Sequence, residues 1–181
     1  GSSVSMLAAS PAESIDWVNP LIGTAKGKIG YGGTMPFVTP PFGMTDWTPQ
    51  TRQNKISVVS YNYDDKTVSG FMGTHQPAIW MGDYGYITLM PEIGALKTTP
   101  EARKLPFSHA DEVAHPDFYS VALDAGSGKQ IRSEMTATER CGYLRFTFPA
   151  NTSGLVLIEA SMPGHAGDVH GDAATHEITC Y

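Results

Sequence analysis

Gly73 to Gly85, GTHQPAIWMGDYG, sets a histidine, a glutamine, a tryptophan and an aspartate around Pro77 and Gly82. Proline and glycine at these positions forbid a regular helix, so the indole stands on a loop between polar side chains. That is the makeup of a sugar grip, in which the C–H face of a pyranose stacks on the ring while its hydroxyls take hydrogen bonds. The competing reading is an indole that fills a satellite cluster under a loop. Asp46 to Arg52, DWTPQTR, has the same flavour: a Trp on an irregular segment near a guanidinium able to bond two oxygens at once. Residue types alone leave core packing and ligand stacking equally open for Trp47 and Trp80.

Other chemistries fit less well. Ser69-Gly70 and Ser161 lack the GxSxG elbow and its strand-turn-helix setting. His165, Asp168, His170 and Asp172 fall close together, a donor set that suits a divalent ion, yet their spacing matches no defined site and they read as a solvated polar loop. Carboxylate pairs are the machinery of glycosidases, and Asp64-Asp65, Asp83 and Asp111-Glu112 are available. Neighbours on an extended chain point to opposite sides, so Asp111-Glu112 reads as a structural pair that fixes the loop before the strand at Phe118. Cys141 and Cys180 lack metal-site spacing and leave one bridge open. Asn151-Thr152-Ser153 is a formal glycosylation sequon ahead of a strand.

The elements that must position these residues are short strands. At 181 residues, with 41% apolar and 17% charged residues and 19 Gly and 13 Pro, the chain fits one turn-rich domain. The formal charge of −6 and scattered basic residues argue against nucleic acid as a partner, and no apolar run is long enough for a membrane span. Period-two alternation or β-rich composition marks strands at Ile56–Tyr63, Val68–Met72, Tyr84–Met90 closed by Pro91, Phe118–Asp124, Ile131–Ala137, Leu144–Phe148, Leu155–Ala160 and His176–Tyr181. The first two pair as a hairpin about Asp64-Asp65-Lys66. Leu155 to Ala160, apolar on both faces, reads as central in its sheet, and Pro163 to Thr175 as a polar loop. The expected fold is all-β, an antiparallel β-sandwich that lacks its last strands, since the final strand ends without a closing partner. Residues 1–13 read as a tag remnant and disordered N-terminus, and 14–181 as the sandwich.

VNPLIGT (Val18–Thr24), GGTMPFVTPPFGM (Gly32–Met44), GFMGTHQPAIWMGDYG (Gly70–Gly85), FSHADEVAHPDFYSVAL (Phe107–Leu123) and TATERCGYLRFTFP (Thr136–Pro149) occur in this order. Together they resemble the N-terminal domain of glycoside hydrolase family 92, the exo-acting α-mannosidases. The resemblance implies a β-sandwich that packs on a larger (α/α)6 barrel. It also implies an inverting, calcium-dependent enzyme that removes terminal mannose, often α-1,2-linked, from N-glycans or yeast mannan. The acid, base and calcium ligands would lie chiefly in the barrel, which this sequence does not contain, so no catalytic or metal residue is expected here and the chain reads as an inactive portion of such an enzyme. Its partners would be a mannose-terminated glycan and the missing C-terminal catalytic domain, in a secreted or periplasmic setting.

Carried onto these motifs, Trp80 looks like a stacking platform or pocket wall. His75, Gln76 and Asp83 would orient it or bond sugar hydroxyls, and Arg52 would be a second hydroxyl contact. A free-standing carbohydrate-binding sandwich is the alternative, and a structural domain whose tryptophans only fill gaps ranks behind it. A domain made to sit on a barrel should expose apolar surface that a free lectin would cover.

Overall fold

A computed structural model of the chain describes residues 13–25, 33–53, 58–75, 87–160 and 166–181. Its strands are β1 (Asp46–Gln50), β2 (Thr67–Val68), β3 (Gly70–Thr74), β4 (Ile87–Ile93), β5 (Leu105–Pro106), β6 (Val113–Ala114), β7 (Tyr119–Asp124), β8 (Gln130–Ala137), β9 (Gly142–Thr147), β10 (Gly154–Glu159), β11 (Val169–Asp172) and β12 (Glu177–Cys180). One antiparallel sheet has the order β1-β3-β4-β10 and a second β6-β7-β8-β9; β2 pairs with β5, and β11 with β12. The fold is all-β, a sandwich, as the alternation requires. Among the described residues, helix is confined to single turns at Ser14–Trp17, capped by Glu13, at His109–Asp111, and at α1 (Pro100–Arg103). No helix among the described residues is long and apolar enough to cross a membrane.

The second sheet follows its sequence closely. Ile131, Ser133 and Met135 of β8 are buried and alternate with more exposed neighbours, the period of a half-buried strand. Asp124↔Gln130 closes the β7–β8 hairpin. Gly126, Ser127 and Gly128 between them all have positive φ, a run that glycine makes affordable. Between the sheets, Trp47 and Phe71 from the first meet Tyr119, Val121, Leu123, Ile131 and Met135 from the second. Phe71 packs tilted against Phe146 and Tyr119, with ring centroids 5.8 and 6.5 Å apart, separations at which aromatic pairs attract.

Several sequence expectations change. Asp46–Gln50 is a regular edge strand, which accommodates Pro49 because an edge needs fewer ladder donors. Pro91 does not close β4 but lies inside it, opposite Val156 and beyond the point where the pairing with β3 stops at Leu89. Ile56–Tyr63 was expected to pair with Val68–Met72. Residues 54–57 lie outside the described residues, and 58–66 forms no strand: Ser60 O accepts the Thr51 and Arg52 N–H groups, and the segment runs across the first sheet. There Val59 and Tyr61 join Met35 in a second cluster, with Leu21, Phe37 and Tyr63 around it. The alternation therefore reflects packing of Val59, Tyr61 and Tyr63 into this cluster and not a ladder, while Ser60 Oγ reaches Met72 Sδ on the sheet. The covered face buries Thr48, Gln50, Met72, Thr74 and Thr88.

β10 is not central. Among the described residues it pairs only with β4 and sits at the sheet edge, with Leu155 and Val156 partly exposed. The stretch expected as a loop at Pro163–Thr175 contains β11, which supplies β12 with the partner the sequence seemed to deny it. Cys141 and Cys180 are both free thiols.

Arg103 locks the first sheet to its surroundings. Fully buried, it donates from Nε to Ser69 O at 2.7 Å and from Nη2 to Glu159 Oε2 at 2.6 Å, with a longer bond from Nη1 to Thr98 O. Trp47 is wedged where glycine leaves room. A Cβ at Gly142 would fall on the indole, and one at Gly73 would stand 3.1 Å from it. Gly142→Ala should therefore displace the ring, costing roughly 1–3 kcal/mol as overpacking does. The expected readout is a melting temperature lower by at least ~2 °C with a red-shifted tryptophan emission; an unchanged melt would mean the indole is not held between the sheets.

Candidate functional site

The ladder between β1 and β3 separates the predicted site residues. Asp46 pairs with Thr74 at one end and Gln50 with Gly70 at the other. His75, exposed, follows Thr74, while Arg52 lies beyond Gln50. Five residues of strand, on the order of 13 Å, stand between the two ends, so the structure does not bring Arg52 and His75 together. Gln76, Trp80 and Asp83 lie outside the described residues. The other tryptophan, Trp47, is 8% exposed and belongs to the core, which resolves that choice for packing.

At the His75 end, Asp46 is partly buried, and burial raises its carboxyl above the usual range against an opposing hydrogen bond from Thr39. Sequence reasoning noted Asp46 only as a neighbour of Trp47. Its partial burial follows from a register that residue types do not display.

At the other end, Arg52 is committed to Asp65. Nε and Nη2 donate to the two carboxylate oxygens at 2.6 and 2.9 Å, and Thr51 Oγ1 donates to Oδ2 at 2.7 Å. The hydrogen bond to Asp65 raises the guanidinium pKa, with burial opposing it. Such a fork is geometrically fixed, and 41% of the Arg52 side chain stays exposed. It borders a cleft of about 400 Å³ with Thr51, Gln53, Lys66 and Lys104 among its walls. The arrangement can hold hydroxyls, and the two carboxylates that line it are engaged, Asp65 by Arg52 and Glu101 by Lys104.

The loop that bears Asp65 is fixed from behind by residues the site prediction omitted. Glu112, its side chain 1% exposed, accepts on Oε1 from Tyr61 OH at 2.8 Å and Tyr119 OH at 2.6 Å, and its Oε2 meets His109 Nδ1 at 2.5 Å. His109 Nε2 faces Tyr63 O at 2.6 Å, and the His109 ring stacks on Tyr63 at 3.8 Å. A carbonyl only accepts, so Nε2 is the donor to Tyr63 O, while Nδ1 lies within hydrogen-bond reach of Glu112. Glu112 thus has the structural role expected of the Asp111-Glu112 pair. The signal lay in YNY, HADE and FY, polar and aromatic residues too distant in sequence to link without the fold. Burial first, then the Glu112 charge, pushes both the Tyr61 and Tyr119 phenols above the ordinary tyrosine value.

Asp65, Glu112, Glu134 and Glu159 are each bound to Arg, Tyr or His partners, so none of these four is free to serve as acid or base. Among the described residues, no group of three or more His, Cys, Asp or Glu is placed to hold a metal. Of the cluster near the C-terminus, His165 lies outside the described residues. Asp168 accepts its neighbour's N–H, and Asp172 accepts those of Ala174 and Thr175.

The sequence matches the model of the glycosyl hydrolase family 92 N-terminal domain over residues 17–180. No curated protein matches. Among solved structures, the family GH92 inverting mannosidase BT2199 from Bacteroides thetaiotaomicron VPI-5482 is 36% identical, with 83% of this chain and 20% of that chain covered and a TM-score of 0.72. The family GH92 α-mannosidase BT3965 from Bacteroides thetaiotaomicron is 32% identical, with 80% and 20% covered and a TM-score of 0.67; it has also been solved in complex with mannoimidazole. The chain thus spans about a fifth of the length of these enzymes.

Two measurements test the Glu112 hub. Glu112→Ala leaves two phenols and an imidazole without their acceptor and should cost roughly 3–5 kcal/mol, whereas Glu112→Gln, which keeps an acceptor oxygen, should cost much less. Equal effects would contradict the hub. The raised phenols give the second: below the ordinary tyrosine value of about 10 their contribution is complete, and it is lost as pH rises, because the unfolded chain ionises first. Stability should fall above that pH, with a shallower slope in Tyr61→Phe; an identical slope in the variant would count against it.

Proposed function

Since the chain belongs to glycosyl hydrolase family 92, as its N-terminal domain, we propose that it serves an exo-acting, inverting α-mannosidase as the sandwich half of the enzyme. The observation that carries this is the family match from 17 to 180 together with 36% identity to an inverting mannosidase of the same fold. The substrate is a glycan with terminal mannose, α-1,2-linked and N-glycan-borne in the first instance, and the enzyme works where such glycans occur, secreted or in a periplasm. Calcium dependence belongs to the assembled enzyme, its ligands mostly outside this chain.

In this reading the sandwich supplies binding and the barrel supplies the proton-transferring carboxylates. The division agrees with the committed state of Asp65, Glu112, Glu134 and Glu159. His75, which follows the end of the first sheet that also carries Asp46, contributes to a pocket wall for which the family motif also supplies Gln76, Trp80 and Asp83. Arg52, pre-oriented by Asp65, bonds hydroxyls of another part of the glycan, because it stands at the opposite end of the β1–β3 ladder. A free-standing sugar-binding module would cover its apolar surface, whereas Trp17, Ile22 and Phe42 are here largely or fully exposed.

Two experiments bear on this. The 181-residue chain with an aryl α-mannoside and added calcium should show no turnover; activity intrinsic to it would place the acid and base within these residues and overturn the division. In a polypeptide that joins this chain to the rest of a family 92 enzyme, Trp80→Ala should lower kcat/KM at least about fivefold, the kinetic equivalent of ~1 kcal/mol of lost stacking. Wild-type kinetics would return Trp80 to a packing role.

A further inference from the structure

Thr39 to Met44, TPPFGM, carries the most conspicuous unpaid apolar surface of the described chain: Phe42 is 100% exposed. Nothing about its backbone is relaxed either. Gly43 N–H donates to Pro40 O at 2.9 Å, closing a four-residue turn with Pro41 second and Phe42 third, and Phe42 has φ 62°. Proline second and a left-handed residue third are the marks of a type II turn, whose third position calls for glycine or asparagine. A bulky aromatic there is an outlier, and the adjacent residue, Gly43, is glycine already.

The turn is held firmly. Thr39 N–H donates to Pro116 O at 3.0 Å, Met44 N–H donates to Glu139 O at 2.6 Å, and Val38 bridges Trp47. These bonds tie it to the β6–β7 and β8–β9 connections and to the start of β1. The same end of the sandwich therefore presents Phe42, Met44 at 59% exposure, Tyr143 at 66% beside Phe118, and, through the Asp46↔Thr74 pair, His75. A strained, rigid turn that lifts one aromatic wholly into solvent amid other exposed apolar groups has the form of an anchor awaiting a socket.

We propose that Phe42 is the anchor by which this domain docks on the remainder of a family 92 polypeptide, inserting into an apolar socket at the end of the sandwich that carries Asp46 and His75. The proposal rests on the reading of the chain as the sandwich half of a larger enzyme. What commits it to that occupant is length: in the relatives this domain is a fifth of the chain, so four fifths are available to cover the patch. The contact would seat the socket next to the proposed pocket wall.

The test compares Phe42→Asn and Phe42→Leu in two settings: the chain as given, and a polypeptide that joins it to the rest of a family 92 enzyme. Asn tolerates the left-handed turn and removes the apolar ring; Leu keeps apolar bulk. In the chain as given, Phe42→Asn should melt at the same temperature or higher, because strain is relieved and no contact is lost. In the joined polypeptide it should melt several degrees lower and cleave faster in limited proteolysis, with Phe42→Leu recovering part of the loss. An Asn variant that melts at or above wild type in both settings overturns the anchor. So does one destabilised equally in both, since that makes Phe42 a contact within the domain. Turnover by the wild-type joined polypeptide is scored separately: its absence would remove the mannosidase reading, while the melting comparison still decides Phe42.

Discussion

The carboxylate of Glu112 is the point on which the covering layer of the first sheet depends. A buried carboxyl group is costly to desolvate and is tolerated only where its oxygens are bonded. Two phenols and an imidazole meet that condition. Tyr61 and Tyr63 stand on a segment that has no strand pairing of its own among the described residues. The chain from 58 to 63 is ordered by the backbone bonds of Ser60 O and Tyr63 N–H together with side-chain contacts: the Tyr61 bond to Glu112, the Tyr63 carbonyl on His109 and the packing of Val59 and Tyr61 on Met35. Asn62 N–H then reaches Thr51 Oγ1, which in turn bonds Asp65, and Asp65 orients Arg52. A hub behind the sheet thus sets the direction of a guanidinium on its surface.

What could be read from the sequence divides along the same line. The β7–β8–β9 sheet was legible because its strands have one buried face and one wet face, and period two reports that condition directly. The 58–63 segment has the same alternation for another reason, its apolar side chains joining the cluster around Met35, and composition does not separate the two. Leu155 to Ile158 misled in the opposite sense, since a run apolar on both faces suits a central strand and also an edge whose far side is left apolar. Pro91 was read as a stop because proline cannot sit in a fully paired strand; it is tolerated where the β3 pairing has ended. Trp47 was undecidable in one dimension, because the cue to its burial is the space left by Gly73 and by Gly142, the latter nearly a hundred residues away.

The candidate site was legible as residue types and not as geometry. Arg52 and His75 are near neighbours in the motif order, yet antiparallel pairing of their strands sends them to opposite ends of one ladder. Any prediction that pools residues by sequence proximity will merge such ends. Asp46 shows the converse. It attracts little notice beside Trp47, but register sets it next to Thr74 and so next to His75.

The distribution of charge within the fold has a consequence for how the chemistry is divided. Glycosidic bond cleavage needs one carboxyl group poised to give a proton and another poised to take one, each with room for substrate. In this domain four acidic side chains are engaged in holding the fold: Glu159 by the buried Arg103, Asp65 by Arg52, Glu134 by Arg145 and Glu112 by its phenols. A carboxylate held by a guanidinium favours its ionised form and makes a poor general acid. Asp65, Glu112, Glu134 and Glu159 thus act as fasteners of the fold, while the end of the sandwich that carries Phe42 leaves apolar surface exposed.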